Sequence, residues 1–83
     1  MYLIDLDKET SIRSISLYLT TAEANELLRK LNNLLEDPEA NEHFHLHDSK
    51  GKENEISCSL ITEKKLKNLN KYNEIERRIL SEE

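Results

Sequence analysis

His43-Phe44-His45-Leu46-His47 and, after a polar loop, Glu55-Ile56-Ser57-Cys58-Ser59-Leu60 decide the fold. Both runs alternate with period two, the mark of a strand with one face toward a core and one toward water. Phe44 and Leu46 share one face of the first run, and His43, His45 and His47 share the other. In the second run Ile56, Cys58 and Leu60 alternate with Ser57, Ser59 and Ile61. The residues between, Asp48 to Asn54, read as a hairpin loop in which Gly51 is free to take a positive φ. A symmetric loop sets His47 opposite Glu55, Leu46 opposite Ile56, His45 opposite Ser57, Phe44 opposite Cys58 and His43 opposite Ser59. Both strands then agree on the apolar face, whereas a slip of one residue would bury histidines against isoleucine.

Upstream, Thr20-Thr21-Ala22-Glu23 is a helix start: Thr20 can cap free backbone N–H groups and Glu23 can reach back. Leu27, Leu28, Leu31, Leu34 and Leu35 follow at helical spacing and predict one apolar stripe, with Glu26, Arg29, Lys30 and Asn33 off it. Pro38 ends the helix, because the residue before a proline avoids helical backbone angles.

Further upstream, residues 2–6 are strand-like and 7–10 form a polar turn. Residues 12–19 predict a second half-buried strand, with Ile15, Leu17 and Leu19 on one side and Ser14, Ser16 and Tyr18 on the other. Ile12 is out of phase, so this strand either opens with a bulge or begins later. Downstream, Thr62 can cap a last helix. There Leu66, Leu69 and Leu80 cluster on one side and Tyr72, Ile75 and Ile79 lie about 120° away. Either this helix breaks near Asn70 or it has two contact faces.

The order is therefore ββαββα, an α+β fold in one domain spanning residues 1–83. The simplest packing is an antiparallel sheet of two hairpins with both helices on one face. The other face would carry Ser14, Ser16, Tyr18, His43, His45, His47, Glu55, Ser57, Ser59 and Ile61.

With 83 residues, such a domain buries only about two-thirds of its unfolded surface, and its stability is on the order of 5 kcal/mol. Cys58 is the only cysteine, which excludes an intramolecular disulfide and suits a reducing compartment. Asp5 and Asp7 interrupt the apolar start and no basic region precedes it, so no signal peptide is read. No stretch approaches the roughly 20 apolar residues of a membrane span. A cytoplasmic location is the expectation. The 17 acids outweigh 12 basic residues, giving a net charge of −5, which argues against nucleic acid and mildly favours a basic partner. Solubility alone also explains that charge, and the acid clusters at Asp5, Asp7 and Glu9, at Glu36 to Glu42, and at Glu53 and Glu55 are also what solvated loops look like.

The histidines are the one constellation that carries chemistry. Alternate strand residues lie about 6.8 Å apart, so two imidazoles can grip one ion, whereas His43 and His47, about 13–14 Å apart, cannot readily share it. Glu55, opposite His47, is the third ligand available, and a His45, His47, Glu55 set with an open position would suit zinc. The same face also suits a subunit or partner contact through Ser14, Ser16, Tyr18, His43, His45, His47, Ser57 and Ser59, since His and Tyr present an apolar body with a polar tip. Such a contact would weaken near pH 6, because a free imidazole titrates at about 6.5. No cofactor is implied.

Cys58 faces the core in this register and reads as a small hydrophobe, not a nucleophile. A Ser57–His45 relay is within geometric reach but lacks an orienting carboxylate and an oxyanion hole, and one glycine leaves no phosphate loop. The expectation is a non-catalytic protein.

The leucine-rich helix ending Leu34-Leu35-Glu36-Asp37-Pro38, then His43-Phe44-His45-Leu46, then Asn54-Glu55-Ile56-Ser57, resembles small bacterial proteins grouped as immunity proteins of polymorphic toxin systems. The resemblance covers residues 27–57 and implies a protein that binds and neutralises a cognate toxin. The acidic balance would fit a basic nuclease target. Together these readings describe a small protein-binding domain, expected to be a homodimer.

Overall fold

The computed structural model describes residues 1–48 and 53–81. The Gly51 turn lies outside the described residues. The elements run β1 (Ile4–Asp5), β2 (Thr10–Ser11), α1 (Thr21–Glu36), β3 (Phe44–His47), β4 (Glu55–Cys58), α2 (Glu63–Leu66), a 3-10 turn (Leu69–Lys71) and α3 (Glu74–Leu80). The α+β class and the ββαββα order stand, with the last helix in pieces. The chain divides into two compact units, residues 18–62 and residues 1–17 with 63–83.

In the unit of residues 18–62, α1 starts where Thr20 and Glu23 put it. The Thr20 hydroxyl accepts from the Glu23 N–H at 3.1 Å and the Glu23 carboxylate accepts from the Thr20 N–H at 2.8 Å, so two orphan donors are satisfied reciprocally. It ends at Glu36 because Asp37, before Pro38, sits at φ −148°, ψ 83°, outside the helical region. The leucine stripe splits along its length. Leu34 is 4% exposed while Leu35 and Leu28 are 60% and 59% exposed, so only the edge defined by Leu27, Leu31 and Leu34 is turned inward. That edge packs on β3, where Leu46 is 4% exposed. Full burial of such a side chain stabilises by about 1.5–3 kcal/mol.

The β3–β4 hairpin has the register that alternation dictates: Phe44 opposite Cys58, His45 opposite Ser57, Leu46 opposite Ile56 and His47 opposite Glu55. Its inner row is buried or half-buried and its outer row of His45, His47, Glu55 and Ser57 is exposed.

In the other unit, β1 and β2 pair antiparallel, Ile4 with Ser11 and Asp5 with Thr10. Their turn is held by the Asp5 carboxylate, which accepts from the N–H groups of Asp7 and Lys8 at 3.0 Å each. Glu9, at φ 55°, supplies the left-handed residue that closes it.

Two expectations need correcting. Residues 12–19 do not form a strand: β2 is Thr10–Ser11, and Ser14 to Thr20 belong to no element. Alternation makes a strand only where another strand offers an edge, and β1 is spent on β2. Ile15, Leu17 and Leu19 stay exposed at 49%, 48% and 37%. Nor do the hairpins merge: β1–β2 and β3–β4 are separate two-stranded sheets.

For the last helix, the break is the alternative realised. Asn68 accepts from the Asn70 N–H, Tyr72 leaves the helical region at ψ 152°, and Asn73 caps α3 in a reciprocal box with Glu76, at 2.9 and 3.1 Å. Asparagine competes with the helix for its own backbone, which is why the segment punctuates here. Ile79 and Leu80 are the buried residues of α3.

Candidate functional site

Strand alternation sets His45, His47, Glu55 and Ser57 on the outer face of β3–β4, and the register brings them together. The Glu55 carboxylate is the hub. Its Oε1 lies 2.9 Å from His45 Nδ1 and 3.6 Å from His47 Nε2. Ser57 Oγ lies 2.8 Å from the same His45 Nδ1. The Ser57 hydroxyl and His45 Nδ1 form a hydrogen bond whose direction follows the ring's tautomer, since a hydroxyl can donate to a bare ring nitrogen or accept from a protonated one. The Glu55 carboxylate can only accept, and it lies against the ring nitrogens of both histidines. The face thus presents imidazole, hydroxyl and carboxylate groups held against one another across the strand pair.

The rings are ordered among themselves. His43 meets His45 edge to face at 4.9 Å between centroids, and His45 and His47 stack at 6.4 Å and 21°. Their side chains are roughly half exposed, 47% for His45 and 41% for His47.

Lys30 supports the site from behind, and sequence reasoning missed it by placing it off the apolar stripe. Its ammonium donates to the His45 carbonyl at 2.5 Å, lies 3.4 Å from the Glu26 carboxylate and stands 5.9 Å from the centre of the Phe44 ring. The available signal was its place beside Leu27 and Leu34 on the helix, where a lysine stem runs along apolar surface and its head emerges at the margin. Next to it, α1 and the approach to β3 border an open cleft of about 450 Å³ lined by Arg29, Lys30, Asn33, Glu42, His43 and Phe44 among others. Its mixed charges select neither sign.

The expected contact residues are only partly assembled. His45, His47 and Ser57 share the face. His43 and Ser59 flank it just outside the paired residues. Ser14, Ser16 and Tyr18 are exposed but belong to no strand, so they do not extend this sheet within the chain.

The expected zinc set of His45, His47 and Glu55 is drawn together as hydrogen-bonding and charge partners. Among the described residues, no group of three His, Cys, Asp or Glu side chains is placed to hold a metal ion. The relay between Ser57 and His45 is not formed either. Both Ser57 and Glu55 meet one nitrogen of the ring, whereas a relay needs the hydroxyl and the carboxylate on opposite nitrogens. Cys58 is half-buried on the other side of β4, and burial pushes its thiol up from its ordinary value, which lowers the thiolate fraction.

Among the described residues, no helix is long and apolar enough to cross a membrane. Compared with known protein families, curated proteins and solved structures, the chain has no match.

Proposed function

We propose that the chain is a small, non-catalytic protein-binding domain that works through the outer face of β3–β4. The observation that carries this reading is the exposed cluster of His45, His47, Glu55 and Ser57, whose polar groups are held together by the Ser57–His45 hydrogen bond and by Glu55 between the two imidazoles. Ordered polar groups on half-apolar rings fit a protein surface well. Little rotamer entropy remains to be lost on contact, and imidazole bodies bury apolar area around the polar tips. His43 and Ser59 extend the face at its end.

The partner is a basic protein, in keeping with the net charge of −5, which steers association toward positive surface. In its sharpest form the role is neutralisation of a basic toxin, as the resemblance over residues 27–57 to immunity proteins implies. The chain acts as a homodimer in the cytoplasm, where its lone Cys58 stays reduced.

The test immobilises the wild-type chain, His45→Ala, Ser57→Ala and a control variant far from the face, Lys64→Ala, and compares what each retains from its own source. A basic protein held by wild type and Lys64→Ala and lost by the two face variants supports the reading. A companion held equally by all four removes it.

A further inference from the structure

The stretch from Ser14 to Leu19 has a strand's sequence and none of a strand's partners. Every residue in it is exposed. Among the described residues, 13–19 make no hydrogen bond and no ion pair. Its alternation of Ser14, Ser16 and Tyr18 with Ile15, Leu17 and Leu19 is as regular as that of β3.

The β4 edge of the β3–β4 sheet, meanwhile, is without partners among the described residues. The Asp48 N–H donates to the Asn54 carbonyl at 3.2 Å, which makes that pair a hydrogen-bonded one. Pairs alternate along an antiparallel ladder. Leu46–Ile56 and Phe44–Cys58 are then hydrogen-bonded, and His45–Ser57 and His47–Glu55 turn their backbone groups outward. On the β3 side the outward His45 carbonyl is already taken by Lys30. On the β4 side no hydrogen bond among the described residues takes the outward N–H and C=O groups of Glu55 and Ser57. An uncovered edge of this kind is a template for another strand.

We propose that residues 14–19 of one copy add as a third strand to the free edge of β4 in a second copy, and that the exchange is reciprocal. This deepens the homodimer reading above and rests on it. Three observations name a second copy as the occupant. First, the faces match: Ile15 and Leu17 continue the apolar row of Cys58 and Ile56, and Ser14, Ser16 and Tyr18 continue the row of Ser59, Ser57 and Glu55. Second, six residues span about 20 Å, enough to run along all four residues of β4. Third, every chain carries one donor segment and one open β4 edge, so two copies satisfy each other around a two-fold axis. Of the antiparallel pairings consistent with both faces, the one centred on Glu55–Cys58 sets Ser16 opposite Ser57 and Ile15 opposite Cys58. The sheet face expected from the sequence, with Ser14, Ser16 and Tyr18 beside the histidines, is then built from two chains.

Sedimentation equilibrium on the full chain is the first test, with Ser16→Pro as the variant. Proline removes the N–H that would bond β4, and the dimer loses it twice, so its dissociation constant rises about 30-fold or more. The dilute monomer keeps its circular dichroism spectrum, because the segment bonds to nothing there. Mild oxidation is the second test. Ile15→Cys forms a disulfide to Cys58 of the other chain and Ser16→Cys does not, since it faces the opposite side; peptide mapping and a Cys58→Ser background identify the bond. A monomeric wild type, a dimer indifferent to Ser16→Pro, or a residue 15 to Cys58 link within one chain overturns the exchange. A monomer that still binds a basic protein through the histidine face overturns the exchange alone, and an exchanged dimer with no partner overturns the functional reading alone.

Discussion

Leu34 and Leu35 are neighbours on α1 with identical side chains, and the structure assigns them opposite fates, at 4% and 60% exposure. Truncation to alanine therefore isolates burial. Helix propensity changes equally at both sites, and alanine is the better helix former in each case. For Leu34→Ala the lost transfer energy plus the cavity amounts to about 2–5 kcal/mol. For Leu35→Ala most of the removed surface was already in water, so the change stays within about 0.5 kcal/mol. Against a total stability on the order of 5 kcal/mol, Leu34→Ala removes about half or more of what holds the chain folded. Urea titration followed by circular dichroism reads this directly. With a slope near 1 kcal/mol per molar, the midpoint falls by roughly 2 M or more for Leu34→Ala and by less than about 0.5 M for Leu35→Ala. The titration is run at concentrations where the chain is monomeric. Equal midpoints for the two variants would refute the splitting of the leucine stripe and with it the packing of α1 on β3.

Thr20→Ala removes half of the capping box and lowers stability by about 1 kcal/mol in the same titration, with most of the loss restored by Thr20→Ser. Cys58 should alkylate far more slowly than a free thiol at pH 7.5 and at the free-thiol rate in urea, followed by mass spectrometry. Its folded-state value lies above its unfolded one. Its contribution to stability is therefore intact below the ordinary thiol value of about 8.5 and is lost as pH rises through the raised value, a decline that Cys58→Ala removes. Addition of equimolar zinc, or of chelator, should leave the melting temperature unchanged, because the nitrogens of His45 and His47 nearest Glu55 lie against its carboxylate; a rise with zinc that His47→Ala abolishes would support the metal reading instead.

The hairpin was legible in the sequence because two period-two runs had to agree on one apolar face, and only one register lets Leu46 meet Ile56. The α1 boundaries were legible because Thr20, Glu23 and Pro38 act through local chemistry. Residues 12–19 were misread for the opposite reason: strand formation is a pairwise property, and the pattern states the need for a partner without naming it. The leucine stripe was seen whole because helical spacing gives angular position, while burial of Leu34 and not Leu35 depends on how wide a surface β3 offers. The break in the last helix was one of two readings, and the capping side chains of Asn68 and Asn73 decided it. At the site, the cross-strand neighbours followed from register. The sharing of His45 Nδ1 between Glu55 and Ser57 did not, because it depends on side-chain torsions that spacing leaves undetermined.

Native mass spectrometry of untagged protein, purified gently from its own source, tests the central claim most directly, because it reports copy number and companions together. The expected mass contains this chain and a second, basic polypeptide, and that companion is lost in His45→Ala and Ser57→Ala. A mass containing only this chain, or a companion retained unchanged in both variants, would contradict it.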